Sequence, residues 1–235
     1  MRTRSKLALA GLAAAVAAIL VVPAGARPAP SPYVDIQQLA AVTPDGGAAV
    51  VQVIASCPER WTLVEASVTV TQPQASGSAS FPLACTGSLQ VFYQITVPAS
   101  TGVFDLRPVD VSAAVVVKRG KTASANDAQT IQPMPIVDVA IADTAHVVEG
   151  GATVDVTVAC SAETTGVESR LVISRSQDVD FGTYTPFCDG APHTHTVFVP
   201  TPLAPGPVQV LTFAQVDFAG QLFYGIDSGT IDLLA

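Results

Sequence analysis

Charge is scarce in this 235-residue sequence: Asp, Glu, Lys and Arg together make up 13% of it, against 49% apolar residues. That balance excludes wholesale disorder, which goes with many charges and few apolar groups. Positive charge is the scarcer sign, with 11 Lys and Arg facing 19 Asp and Glu. A surface that acidic repels phosphate backbones, so nucleic acid is not an expected partner. Histidine and cysteine number only three and four. No Cys-x-x-Cys spacing offers a zinc site, no Gly-x-Ser-x-Gly elbow marks a hydrolase, and the chain reads as non-catalytic and without a cofactor. No apolar run of spanning length follows residue 26, and no stretch beyond it sustains the 3.6-residue period of a helix.

The N-terminus supplies what the rest lacks. Arg2, Arg4 and Lys6 precede an uncharged apolar run, Leu7 to Val22. Pro23 then interrupts it, and Ala24-Gly25-Ala26 places small residues where a signal peptidase reads. Residues 1–26 read as a signal peptide, whose 16-residue apolar run is shorter than the roughly 20 apolar residues a membrane anchor needs. No cysteine stands near the cleavage point to take a lipid. Membrane contact is expected only during export, and the mature protein is expected to be secreted and extracellular. Without its three N-terminal cations it keeps eight Lys and Arg against 19 acids, a net charge of −11. Residues 27–32, Arg-Pro-Ala-Pro-Ser-Pro, form an extended, polyproline-like leader.

Cys57 and Cys85 are 28 residues apart, as are Cys160 and Cys188, and the pairs are offset by 103. The neighbours repeat at that offset. Val51, Val53 and Ala55 match Val154, Val156 and Val158; Val64-Glu65 matches Val167-Glu168; Gly87 matches Gly190. Pro108-Val109-Asp110-Val111 recurs as Pro207-Val208-Gln209-Val210 at an offset of 99, so the loop before it is shorter in the second copy. The chain is a duplication, with one domain over 33–132, a Pro-flanked linker over 133–135 and a second domain over 136–235.

Within each copy the apolar period is two, as where Val64, Ala66, Val68 and Val70 alternate with polar residues. Strands are expected to start near Tyr33, Ala48, Leu63, Ser80, Leu89, Val109 and Ala123. Those of the second copy start near Ile136, Ala152, Val167, Thr183, Thr194, Val208 and Ile226. The fold class is all-β: two tandem immunoglobulin-like β-sandwiches of about seven strands each, with up-and-down barrels as the alternative. Turns are expected over Pro73 to Ser78 and Asp178 to Gly182.

Two cysteines per copy of an exported chain predict the intradomain disulfides Cys57–Cys85 and Cys160–Cys188. With strands in order, each bridge joins the end of a second strand to the end of a fourth. His193 and His195 are two apart on a strand and project from one face, which a metal would require, given a third ligand such as His146 or Asp189. Asp178, Asp180 and Asp217 sit in acidic turns that could contribute oxygens to calcium. Both sets read more simply as a polar strand start and solvated turns, and no metal is assigned. Trp61 either caps the core or meets a sugar or partner. Lys118-Arg119-Gly120-Lys121 reads as a hairpin turn.

A signal peptide, a strand ending in Cys57, a Val-x-Val strand ending in Gln72, and Cys85-Thr86-Gly87 resemble secreted actinobacterial proteins with duplicated disulfide-containing immunoglobulin-like domains. Three lysines and a single asparagine, Asn126, suit the GC-rich genomes of that group. The resemblance covers residues 48–131 and, more loosely, 152–233, where Cys188-Asp189-Gly190 departs from the pattern. It implies export and small bridged sandwiches, and brings no catalytic residues. The expected function is that of a non-catalytic secreted protein presenting two domains to an extracellular protein or cell-envelope component. A secreted small-ligand carrier or glycan-binding module is the alternative.

Overall fold

Val and Ala alternating with Ser, Thr and Gln suit a pleated surface with one buried face, and wherever that pattern runs in this chain a strand forms. The computed structural model describes residues 31–87 and 89–235. The expected signal peptide and residues 27–30 of the expected leader lie outside the described residues. The first domain comprises β1 (Tyr33–Val42), β2 (Ala48–Ser56), β3 (Thr62–Gln72), β4 (Ala75–Ser80), β5 (Val91–Thr101), β6 (Val109–Arg119) and β7 (Lys121–Ile131). A short β8 (Met134–Pro135) follows. The second domain repeats the plan with β9 (Asp138–Val148), β10 (Gly151–Ala159), β11 (Thr165–Arg175), β12 (Asp178–Tyr184), β13 (Pro192–Val199), β14 (Gly206–Phe218) and β15 (Gln221–Leu234).

In each domain the first, second and fifth strands make one layer, and the fourth, third, sixth and seventh make the other. That is the immunoglobulin-like arrangement, and the chain is two tandem sandwiches. Each has its own core. The inward row of β2 is Ala49, Val51, Val53 and Ala55, leading to Cys57. Its counterpart on β10 is Ala152, Val154, Val156 and Val158, leading to Cys160. These side chains are almost wholly removed from water, and each fully buried Val stabilises its domain by about 1.5–3 kcal/mol. Loop shortening in the second copy falls between the fifth and sixth strands, with Val97 to Val109 matching Val199 to Val208.

The layers are joined differently along their sides. In the first domain β5 runs on to pair with β4 (Gly77↔Ala99), while β1 and β7 meet through side chains. The Ile36 N–H donates to Asp127 Oδ2 at 2.7 Å, and Gln129 Nε2 donates to the Ile36 carbonyl at 2.8 Å. In the second domain β15 pairs in parallel with β9 (Asp232↔Thr144), and no ladder joins β12 to β13 among the described residues. The side-chain clasp recurs there: the Ile141 N–H donates to Asp227 Oδ2 at 2.8 Å. Both isoleucines border a register shift in the first strand of their domain, where the ladder leaves a backbone donor that a carboxylate satisfies.

Two expectations are corrected. The fourth strands begin earlier than read, at Ala75 and Asp178 rather than near Ser80 and Thr183. Pro73 and Gln74 alone make the turn after β3, and the Ser- and Gly-rich β4 has too little β-propensity to announce itself. Glycine is needed there because a Cβ at Gly77 would overlap the Pro98 carbonyl of β5, as one at Gly182 would overlap the Phe198 carbonyl. The 133–135 segment, expected as a Pro-flanked linker, lies along the first sheet: Met134 and Pro135 pair in parallel with Ala41 and Val42. The Ile136 N–H donates to the Val42 carbonyl at 3.0 Å. Across the junction the Leu106 N–H donates to Glu163 Oε2 at 2.6 Å, and Phe218 packs against the first core.

Candidate functional site

The cysteines pair as the spacing predicts, Cys57 with Cys85 and Cys160 with Cys188, with Cα separations of 4.4 and 4.8 Å. Cys57 and Cys160 directly follow β2 and β10. Cys85 and Cys188, however, lie in the irregular segments that carry the chain between layers, not at the ends of fourth strands. Each bridge therefore ties a strand end to a crossover. The repeated glycine two residues on has a matching task. Gly87 and Gly190 take positive φ, 108° and 90°, and each N–H turns back to the carbonyl of Cys57 or Cys160, at 3.1 and 2.9 Å. Glycine adopts that backbone without strain.

His193 and His195 do share a face, but it is the core-facing row of β13. His193 Nε2 lies 2.8 Å from Asp189 Oδ1, and its ring meets Phe187 edge-on. His195 stacks at 5.6 Å on Tyr184, and its Nε2 is buried with no hydrogen-bond partner. Burial holds the His195 imidazole below its ordinary pKa, and the neighbouring His193 adds to the effect. Asp178 and Asp180 lie on β12 rather than in a turn. Asp217 is the penultimate residue of β14, where its carboxylate accepts the Gly220 N–H at 3.1 Å. Among the described residues no three His, Cys, Asp or Glu side chains converge as a metal site requires. Trp61 is half-buried against the first core, as a cap. Gly120, at φ +70°, turns the β6–β7 hairpin within the basic cluster, as expected.

What the sequence reading missed is a difference between matched surfaces. The outward row of β4, β3, β6 and β7 at mid-sheet is Ser78, Thr69, Ser112 and Ala128. Its counterpart on β12, β11, β14 and β15 is Phe181, Val172, Leu211 and Ser228. The adjoining row of the second domain runs Thr183, Arg170, Phe213 and Ile226, then Tyr224 on β15 beside Gln215; the first domain has Ser80, Ser67, Ala114 and Asn126. Phe181, Tyr224 and Ile226 stand 57%, 54% and 53% exposed. The Arg170 guanidinium sits 5.6 Å over the Phe181 ring, a cation–π contact. An apolar stripe thus crosses an open sheet face. Its signal was present: Val210-Leu211-Thr212-Phe213-Ala214 breaks the polar–apolar alternation, but only the register shows which residues face out.

Concave surface is modest. A cleft of about 440 Å³ lies between the domains, where Asp45 of the first faces Asp138 of the second. Burial and the Asp45 charge raise the Asp138 pKa. A groove of about 430 Å³ crosses the outer face of the first domain, lined by Ser67, Thr69, Ser112 and Asn126.

No protein-family model and no curated protein matches this chain. Among solved structures it is similar to the tetra-tandem repeat in the extending region of a large adhesion protein. That similarity has 16% identity and a TM-score of 0.32, covering 86% of this chain and 49% of the other. The chain thus spans about half the length of that structure.

Proposed function

We propose that this is a non-catalytic exported protein that offers its second sandwich to an extracellular protein or cell-envelope component. The observation that carries the reading is the apolar stripe on the outer face of the β12–β11–β14–β15 sheet, exposed where the matched face of the first domain holds mostly Ser, Thr and Ala. Contiguous exposed apolar surface of this kind marks contact sites more often than chance. Two disulfides in small β-domains support an oxidising, extracellular setting, and the N-terminal sequence supports export. The test is retention of the purified protein on cell-envelope fractions. Wild type and a first-domain variant, Thr69→Glu, should be retained alike, and Phe181→Glu should be lost to the wash. Equal retention of all three would sink the assignment of this face.

The glycan-binding alternative rests on the first domain, whose groove gathers hydroxyls and the Asn126 amide within about 430 Å³. Retention on purified envelope polysaccharide that Asn126→Ala abolishes and Phe181→Glu leaves intact would favour it.

A further inference from the structure

We propose that the loop between β5 and β6 of the first domain is a clamp that locks the second domain in one fixed orientation, so that the two sandwiches meet a partner as a single rigid body. The inference does not depend on which outer face is the contact surface. Domains joined by a short stretch of chain move against one another unless a specific interface holds them. A fixed angle therefore needs a device.

This loop is where the copies differ in length. Val97 and Val199 are matched positions, opposite Ala49 and Ala152, and so are Val111 and Val210, opposite Val70 and Ile173. Val111 lies 14 positions beyond Val97 and Val210 lies 11 beyond Val199, so the first copy carries three extra residues. The added length is ordered. Phe104 and Leu106 are buried, and the Phe104 N–H donates to the Gly46 carbonyl at 2.9 Å. The Asp105 carboxylate accepts the Arg107 N–H at 2.9 Å and Gln74 Nε2 at 3.0 Å.

The backbone of Leu106 is held by groups from outside the loop. Its N–H donates to Glu163 Oε2 of the second domain at 2.6 Å, and its carbonyl accepts Gln132 Nε2 from the chain between the domains. A hydrogen bond to an ionised carboxylate is stronger than a neutral one. Losing it leaves a buried N–H without a partner, which raises the cost of parting the domains.

The second domain is shaped to supply that acid. Ser161 to Thr164 directly follow the bridged Cys160, and the Thr164 N–H and hydroxyl both donate to the Ser161 carbonyl, at 2.9 and 2.7 Å. This tight turn fixes the place of Glu163. At the matched position of the first domain, 103 residues earlier, stands Arg60, which takes a positive φ of 66°. The β14–β15 hairpin departs in the same way. Phe218 packs against the first core, while Arg119, 99 residues earlier, is exposed at the tip of β6. Three departures from the repeat thus meet at one joint: a longer loop in the first copy, and Glu163 and Phe218 in the second. The shared sandwich plan requires none of them, and a clamp requires all three.

The experiment is NMR on the full, disulfide-intact chain, with residual dipolar couplings and relaxation measured for both domains. In wild type one alignment tensor should fit both, with an interdomain order parameter near the rigid value of about 0.85. Glu163→Ala combined with Phe218→Arg should keep both melting transitions and give two unequal tensors, the order parameter falling below about 0.6. Glu163→Gln, which keeps an acceptor for the Leu106 N–H, and Arg60→Ala, at the matched position, should each retain the single tensor. Unequal tensors in wild type, or one shared tensor in the double variant, overturn the proposal. Should the double variant lose either melting transition, Glu163→Ala alone is read in its place: unequal tensors support the clamp and one shared tensor overturns it.

Discussion

The two sandwiches have one plan and opposite placements of polarity. In the first, Phe81 and Tyr93 stack at 5.1 Å beside the core, Ala66 and Ala113 are buried, and the outer sheet face is mostly Ser, Thr and Ala. In the second, the matched positions hold Tyr184, His195, Ser169 and Thr212. Ser169 and Thr212 are fully buried there. Their polarity is satisfied internally: Tyr184 and Thr212 hydroxyls are 2.8 Å apart, Thr212 donates to the Arg170 carbonyl at 3.1 Å, and Ser169 Oγ accepts the Gln215 N–H at 2.8 Å. The apolar groups stand outside instead. Duplication preserved the architecture, because the strand pattern and bridge hold with either set of residues, and it left each face free to take a separate role.

The largest effect that would test this independence comes from the bridges. Replacing Cys57 and Cys85 by Ala should cost the first domain about 2–5 kcal/mol and leave the second domain's unfolding transition where it was, as read by urea denaturation. Replacing Cys160 and Cys188 should do the converse. If either pair lowers both transitions together, the domains share one cooperative unit.

A smaller effect separates two solutions to one problem. Both third strands end in a residue that holds the loop before the sixth strand. Gln72, nearly buried, donates to the carbonyls of Asp105 and Arg107 at 3.1 and 2.7 Å, and accepts the Asp105 N–H at 3.0 Å. Arg175 donates to the carbonyls of Ala204, Gly206 and Pro207 at 2.8 to 3.0 Å. Gln72→Ala should cost about 1–3 kcal/mol, since buried partners are left unpaired. Arg175→Ala should cost under about 1 kcal/mol, because water reaches its carbonyls. Equal losses on chemical denaturation would show that burial does not distinguish them.

The smallest expected effect is one of pH. The His195 pKa is depressed in the folded state, so the unfolded chain binds the proton more readily. The stability that neutral His195 permits is therefore present above about pH 6.5, the unperturbed value, and is lost as pH falls towards the folded value. Carboxyls held low fall outside this window. Asp45, bonded by the Gly47 N–H and the Thr43 hydroxyl, and Asp189, bonded by the Ala191 N–H and His193, matter only in stronger acid. So does Asp105, held low against its burial by Arg107. Between pH 7.5 and 5 the second domain's melting midpoint should fall and the first domain's should hold, and His195→Tyr, the residue at Tyr93, should remove the difference. A parallel shift of both midpoints would assign the acid response elsewhere.

Much of this was legible in the residues. A period of two, a repeated cysteine spacing and turn clusters specify strands, duplication and bridges, because each depends on local chemistry or on counting along the chain. The fourth strands were not legible, since β4 forms from Ser and Gly only because β3 and β5 are there to pair with it. His193 and His195 were legible as neighbours on one face, while the side of the sheet they occupy was not.

The sequence by itself determined the fold class, the two-copy organisation and the pairing of Cys57 with Cys85 and Cys160 with Cys188. The tertiary structure alone decided that His195 faces the core, that Asp127 and Asp227 clasp backbone donors across a seam, and that Phe181, Leu211, Phe213 and Ile226 meet on one open face. The reason is that an alternating pattern names two faces of a strand without saying which is inside. Only the register between strands far apart in the chain brings single apolar residues together into a surface.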